Sequence, residues 1–295
     1  MSRPPVTVGT DGSKLSLRAV DWAAREAAAR GLPLRIVSVP ELPARMCAHH
    51  VRALGSAAER AAALQPGLTI DARLAPGLPA QTLMDSATDA AMLVVGSRGA
   101  GALSVKILGS VSQDVATRAR CPVIVVREDV AVPGDIVVHD GRPRAGREVV
   151  VGVGDLDQCG RALEFAFEAA ALRRASVVAV HAWSWYLPST GRLASVPAAD
   201  RTALNTCCLS PDISARLADT LDRWRDKYPG VPAEMKMPRG LPGRALTAAA
   251  TRADLVVLGR CPVDRAGPGL RSVTHAVLHH AHVPVAVTGP DQAGA

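Results

Sequence analysis

Aromatic side chains are scarce: two Phe, two Tyr and four Trp among 295 residues, 3% of the chain. So few flat rings cannot line a groove that stacks single-stranded bases. The formal charge of +7 is therefore weak support for nucleic acid as a partner, the more so because the arginines are scattered. Cysteine is sparse and unpatterned. Cys47, Cys121, Cys159, Cys207, Cys208 and Cys261 show no CxxC spacing and no compact framework, which argues against a disulfide scaffold or a structural zinc site. Adjacent Cys207 and Cys208 diverge and make a poor clamp. All six read as reduced thiols, several of them buried. Long apolar runs are missing too: segments such as SVVAVHAW fall far short of a membrane span. MSRPPVTVGTDGS has no apolar core of a secretory signal, so the expected location is cytoplasmic. No GxSxG elbow, HExxH pair or Walker lysine is found, and no motif places an acid–base pair.

What is present is enough apolar material for two cores, 48% of residues against 21% charged, and a repeat. VTVGTDGSKLSLRAVDWAAREAAARGLPLRIVSV (6–39) parallels VVVGVGDLDQCGRALEFAFEAAALRRASVVAVHA (149–182), with R-A-[VL]-[DE]-[WF]-A at the same place in each. LVVGSRG…GSVSQDVATRARCPVIVV (93–126) parallels LVVLGRC…RSVTHAVLHHAHVPVAVT (255–288). Two matches in the same order define tandem copies. Apolar runs such as MLVVG and PVIVV, without polar alternation, predict strands covered on both faces. In the first copy these fall at 6–11, 34–40, 68–74, 92–97 and 122–127. Strands alternating with amphipathic helices predict an α/β fold of two doubly wound, Rossmann-like domains, 1–130 and 147–295. Each is expected to hold a five-stranded parallel sheet in order 3-2-1-4-5 with helices on both faces. Residues 129–146 read as the linker. The final strands PVIVV and PVAVT lie at sheet edges, which are liable to pair.

In such a sheet ligands bind beyond the carboxyl ends of the strands, where strand order reverses. The turns GTDGS (9–13) and GSRG (96–99) leave the first and fourth strands there, and their glycines predict a groove floor without side chains. Ser110 reads as a helix N-cap with Gln113 completing a capping box, and Val111 and Val115 as that helix's buried stripe. Free amides at the helix start favour an anion.

The spacing Gly96-x2-Gly99-x9-Gly109-Ser110, with the flanking LVVGSRG and GSVSxxV…CPVIVV and the opening VTVGTDGS, resembles the nucleotide-binding signature of the universal stress protein family. The resemblance covers nearly the whole chain as two copies. It implies ATP as cofactor, with adenine between the first two strand ends at Gly9, Thr10, Asp11 and the backbone near Val39. Ribose and phosphates would follow Gly96, Ser97, Arg98, Gly99, Gly109, Ser110 and Val111. Arg98 and Lys106 would add positive charge. Asp11 would bond adenine or ribose, hold Mg²⁺ through phosphate, or make only an Asx-turn. The resemblance also implies a regulatory, stress-response module that dimerises or forms an intramolecular pseudo-dimer.

The second copy departs from the pattern. Pro262 and Arg271 stand for two of the glycines, and Gly154 stands for Asp11 with Asp155 following. Proline removes an amide and arginine adds bulk where phosphate would lie, so ATP is expected in the first copy alone. The first copy has a short connection between strands two and three, 41–67 against 184–231 in the second, which leaves the adenine end open. His49 and His50 in that connection are expected to face solvent. His275 and His279, four apart, have the spacing to share a metal, but no carboxylate or cysteine completes a set; His279, His280 and His282 read as partly exposed histidines near a helix C-terminus. The competing readings are a structural partner-binding protein without nucleotide and a slow ATP hydrolase.

Overall fold

The computed structural model describes residues 3–40, 47–98, 108–127, 138–139, 142–143, 147–183, 211–260 and 268–289. The apolar runs form strands, as their patterning predicts. In the first copy these are β1 (Val6–Gly9), β2 (Leu34–Ser38), β3 (Ile70–Leu74), β4 (Met92–Gly96) and β5 (Val123–Val126). They are shorter than expected by one or two residues at an end. At residues 10–11 the reason is visible: Thr10 and Asp11 spend their side chains on the turn that follows. β1, β4 and β5 are buried throughout, whereas β3 is half to fully exposed. That edge carries charge, which discourages pairing with another sheet. Arg35 reaches from β2 to Asp71 (3.6 Å) and Asp89 (2.6 Å).

The chain divides into two compact units, Met1–Arg144 with Ala281–Gly289, and Ala145–His280 with Pro290–Ala295. In the first, β1 pairs in parallel with β2 and β4, β2 with β3, and β4 with β5, the expected order 3-2-1-4-5. A sixth strand, β12 (Val285–Thr288), runs antiparallel to β5, with Val285 opposite Val125 and Val287 opposite Val123. The two final strands thus do pair. The helices are α1 (Lys14–Arg30), α2 (Cys47–Leu64), α3 (Pro79–Ser86) and α4 (Ser110–Arg118). α1 packs on α2 and α3 on α4, as right-handed crossovers to opposite faces require. α1 starts at Ser13, whose hydroxyl accepts from the Ser16 amide, and ends at Gly31 in the left-handed conformation (φ 63°). Its buried face includes Ala19, Ala23, Ala24 and Ala27, short side chains that favour close packing. Asp21, buried on that helix, receives a two-pronged bond from Arg60 of α2.

Within the expected linker, β6 (Val138–His139) and β7 (Arg142–Pro143) pair as a short antiparallel ribbon. The second unit repeats the plan with β8 (Glu148–Gly152), α5 (Gly160–Arg173), β9 (Ser176–Val180), α6 (Pro211–Lys227), β10 (Ala233–Lys236), α7 (Pro242–Ala250), β11 (Leu255–Gly259) and α8 (Pro268–His280). Its parallel strands run β10-β9-β8-β11, again 3-2-1-4. A cross-helix ion pair recurs: Lys227 of α6 lies 2.9 Å from Glu164 of α5, the repeat position of Asp21, although Lys227 stands one helical turn beyond the repeat position of Arg60. Of the cysteines, Cys159 is buried and Cys121 half-buried. Cys207, Cys208 and Cys261 lie outside the described residues. Among those residues no helix is long and apolar enough to cross a membrane.

Candidate functional site

Strand order in the first unit reverses between β1 and β4, so the turns leaving them exit side by side. Within the first turn, hydroxyls and a carboxylate supply the local bonds. Thr10, buried, shares a 3.1 Å hydrogen bond with the Ser16 hydroxyl, and its oxygen accepts from the Gly12 amide at 3.2 Å. The Ser16 hydroxyl donates to the Ser13 carbonyl at 3.0 Å. Asp11 Oδ1 accepts from the Ser13 amide at 3.0 Å, the Asx-turn that was one of its open roles. Gly12 sits at φ 79°, where a side chain is strained. A Cβ on Gly9 would lie 2.9 Å from a terminal methyl of Leu83 of α3, a side chain that can turn aside.

Gly96 corrects the picture of an open glycine floor. A Cβ on it would stand 3.1 Å from the carbonyl carbon and oxygen of Leu15 and 3.2 Å from the Ser16 amide nitrogen. The missing side chain admits the start of α1. Beyond it, the buried Ser97 donates its amide to Val126 (2.7 Å) and accepts from the Gly109 amide (2.8 Å). That bond brings the start of α4 against the end of β4. Arg98 is half-buried beside it, while Gly99 and Lys106 lie outside the described residues.

Ser110 is not the cap of α4. Gly109 holds that position in extended backbone (φ −66°, ψ 147°), and no side-chain oxygen caps the helix. Ser110 is the first helical residue and is exposed, so the capping box with Gln113 does not form. The sequence reading missed Ser112. Its buried hydroxyl donates to the Gly96 carbonyl at 2.6 Å and ties α4 to β4. The signal was available, because the second copy keeps a hydroxyl there in SVT, as Thr274. Val115 is fully buried as expected, but Val111 only half so. The intrahelical bonds of α4 begin with the Gln113 amide donating to the Gly109 carbonyl at 3.0 Å, and the amides of Ser110, Val111 and Ser112 precede them.

The short connection also behaves differently from expectation. His50 is buried, its Nδ1 2.9 Å from the Ser38 hydroxyl, which donates to the Thr10 carbonyl at 2.8 Å. His49 is exposed, with Nε2 3.0 Å from the Asp11 carbonyl oxygen. Val39, buried, follows Ser38. The site therefore gathers Gly9, Thr10, Asp11 and Val39 at one end, and Ser97, Arg98, Gly109, Ser110 and Val111 at the other. Gly96 serves as the joint between β4 and α1.

In the second unit the strand-end carbonyl of Val153, equivalent to Thr10, is met by Nδ1 of buried His181 at 3.0 Å. Asp155 caps a 3-10 turn, Leu156–Gln158, instead of α5 itself. Pro262 lies outside the described residues, and Arg271 falls on α8.

The model of the universal stress protein family matches residues 3–127 and 146–289, both copies. The chain belongs to the universal stress protein family. It is similar to universal stress protein Rv2005c of Mycobacterium tuberculosis, 32% identical, with 97% of this chain and 99% of that protein covered. A universal stress protein from Archaeoglobus fulgidus shares the fold at TM-score 0.70 and 17% identity, covering 99% of this chain and 98% of that one. A universal stress protein solved in complex with cAMP is 36% identical over 43% of this chain and 98% of its own, with TM-score 0.37. The order of the sheet, the tandem copies and the helices on both faces are thus those of the family to which this chain belongs.

Proposed function

We propose that the first copy binds an adenine nucleotide, ATP foremost, and that the chain acts as a regulatory stress-response module. The observation that carries this reading is the start of α4, drawn against the end of β4 by the 2.8 Å bond from Gly109 to Ser97. It directs a row of backbone amides and the positive end of a helix dipole beside the strand-order reversal. Phosphate oxygens would accept from the Ser110 and Val111 amides, with the exposed Ser110 hydroxyl as a further donor and Arg98 adding charge. The base would lie over Thr10, Asp11 and Val39. Asp11 gives one oxygen to the Ser13 amide, so any bond to base, ribose or a phosphate-bound Mg²⁺ would use the other face of the carboxylate. These groups fit binding, and among the described residues no geometry assigns a general base.

Titration calorimetry of the full chain with ATP tests the proposal. A Cβ at Gly109 would touch the Ser97 carbonyl oxygen and Arg98 Cα at 3.4 Å, so a leucine there crowds the wall of the phosphate site. Loss of two charge-assisted bonds would weaken ATP on the order of a hundredfold. Arg271→Ala, in the second copy, should leave ATP affinity unchanged. Parent-like binding by Gly109→Leu, or two equivalent ATP sites, would sink the assignment.

A further inference from the structure

Of two consecutive carbonyls at the turn leaving β1, that of Asp11 is met directly by His49 of α2, and that of Thr10 by the Ser38 hydroxyl, which the next residue, His50, in turn engages. The proton positions follow from the partners. A carbonyl oxygen only accepts, so His49 Nε2, 3.0 Å from the Asp11 oxygen, carries a proton. The Ser38 hydroxyl has a single proton, and it goes to the Thr10 carbonyl at 2.8 Å. The 2.9 Å bond between that hydroxyl and His50 Nδ1 must then take its proton from the ring. The neighbours are held in opposite forms, His49 as Nε2–H and His50 as Nδ1–H.

We propose that His49 and His50 form a latch that positions the Thr10–Asp11 turn for a ligand. The latch stands on geometry alone, whereas its purpose rests on the nucleotide reading above. Three observations support it. Gly12 lets α2 approach: a Cβ there would lie 2.8 Å from Ala53 Cβ and 3.6 Å from His49 Nε2. The two rings brace each other edge to face, centroids 5.5 Å apart at 84°. The second copy is built otherwise. There His181 of the strand end bonds the Val153 carbonyl directly, without a histidine from the following helix. The latch thus belongs to the copy that keeps Gly96, Gly99 and Gly109. A bound base would find the Asp11 backbone already fixed, and less ordering would be left for binding to supply.

Long-range proton–nitrogen NMR of the full chain reads the ring tautomers without any ligand. The expected result is His49 as Nε2–H and His50 as Nδ1–H; His50 found as Nε2–H would overturn the latch. ATP titration then reads its purpose. His49→Ala is expected to weaken ATP about fivefold, and His49→Gln, whose amide supplies a donor near Nε2, to bind within about twofold of the parent. Because His49 is exposed, both variants should unfold at nearly the parent temperature. His49→Ala binding ATP as tightly as the parent would overturn the positioning role. A parent that takes up no ATP would overturn the nucleotide reading and the purpose of the latch, while the tautomers still judge the latch itself. His50→Asn keeps a donor near Nδ1 and should preserve ATP binding; a loss equal to that of His50→Ala would count against the hydrogen bond as the active element.

Discussion

Replacing Gly96 by alanine would put a methyl group 3.1 Å from the Leu15 carbonyl and 3.2 Å from the Ser16 amide nitrogen. Both obstacles are main chain at the start of α1, so no side-chain rotation relieves the clash. To restore ordinary van der Waals distance, α1 must retreat by several tenths of an ångström. Overpacking of this kind costs about 1–3 kcal/mol. The displacement falls on Ser13 and Ser16, whose bonds hold the Thr10–Asp11 turn, so ligand affinity should fall along with stability. Gly109→Ala is the control. Its φ of −66° suits any residue, and its Cβ would make 3.4 Å contacts, an ordinary approach. Thermal unfolding of the full chain should therefore show Gly96→Ala lowered by several degrees. Gly109→Ala should stay within about 0.5 kcal/mol of the parent. If Gly96→Ala matches the parent while Gly109→Ala is the damaged variant, the assignment of the two glycines is inverted and the reasoning fails.

Ser112→Ala removes a buried 2.6 Å bond to the Gly96 carbonyl and should cost about 1–3 kcal/mol in denaturant unfolding. Ser110→Ala, at an exposed position that caps nothing, should cost under about 0.5 kcal/mol; equal losses would restore Ser110 as the cap. Arg60→Ala strands the buried Asp21 carboxylate on α1. Because Arg60 itself is half exposed, the expected cost is about 2 kcal/mol, below the range for a fully buried pair; Asp21→Asn in the same background should recover part of it. Asp89 is held below the usual carboxylate range chiefly by its hydrogen bond from Arg35. A carboxyl depressed in the folded state stabilises above its unfolded pKa of roughly 4, and that contribution is lost as pH falls through the lower folded value. Asp89 is largely exposed, so the effect should stay within about 1 kcal/mol. Arg35→Met should remove that acid-side dependence and leave the neutral-pH slope unchanged, as stability curves at pH 3, 5 and 7 would show.

The amino-acid order by itself determined the strands, the helices, the tandem copies and the sheet order of the first unit. Those features are written in patterns of single residues: apolar runs such as MLVVG and VIVV need cover on both faces, and βα alternation admits few topologies. The spacing of Gly96, Gly99, Gly109 and Ser110 likewise marked which copy to inspect. What only the tertiary structure decided is which group meets which. A glycine in a strand end looks the same whether it admits a phosphate or a helix, and the backbone of Leu15 and Ser16 settles the matter for Gly96. Ser110 matches a cap in sequence, yet Gly109 takes the extended conformation and the capping geometry never forms. His50 follows a short polar connection and looks solvent-bound until α2 carries it over the Ser38 hydroxyl and the Thr10 carbonyl. Each of these depends on a partner far along the chain. Hydrogen bonds are directional at the scale of tenths of an ångström, and local patterning carries no information at that resolution.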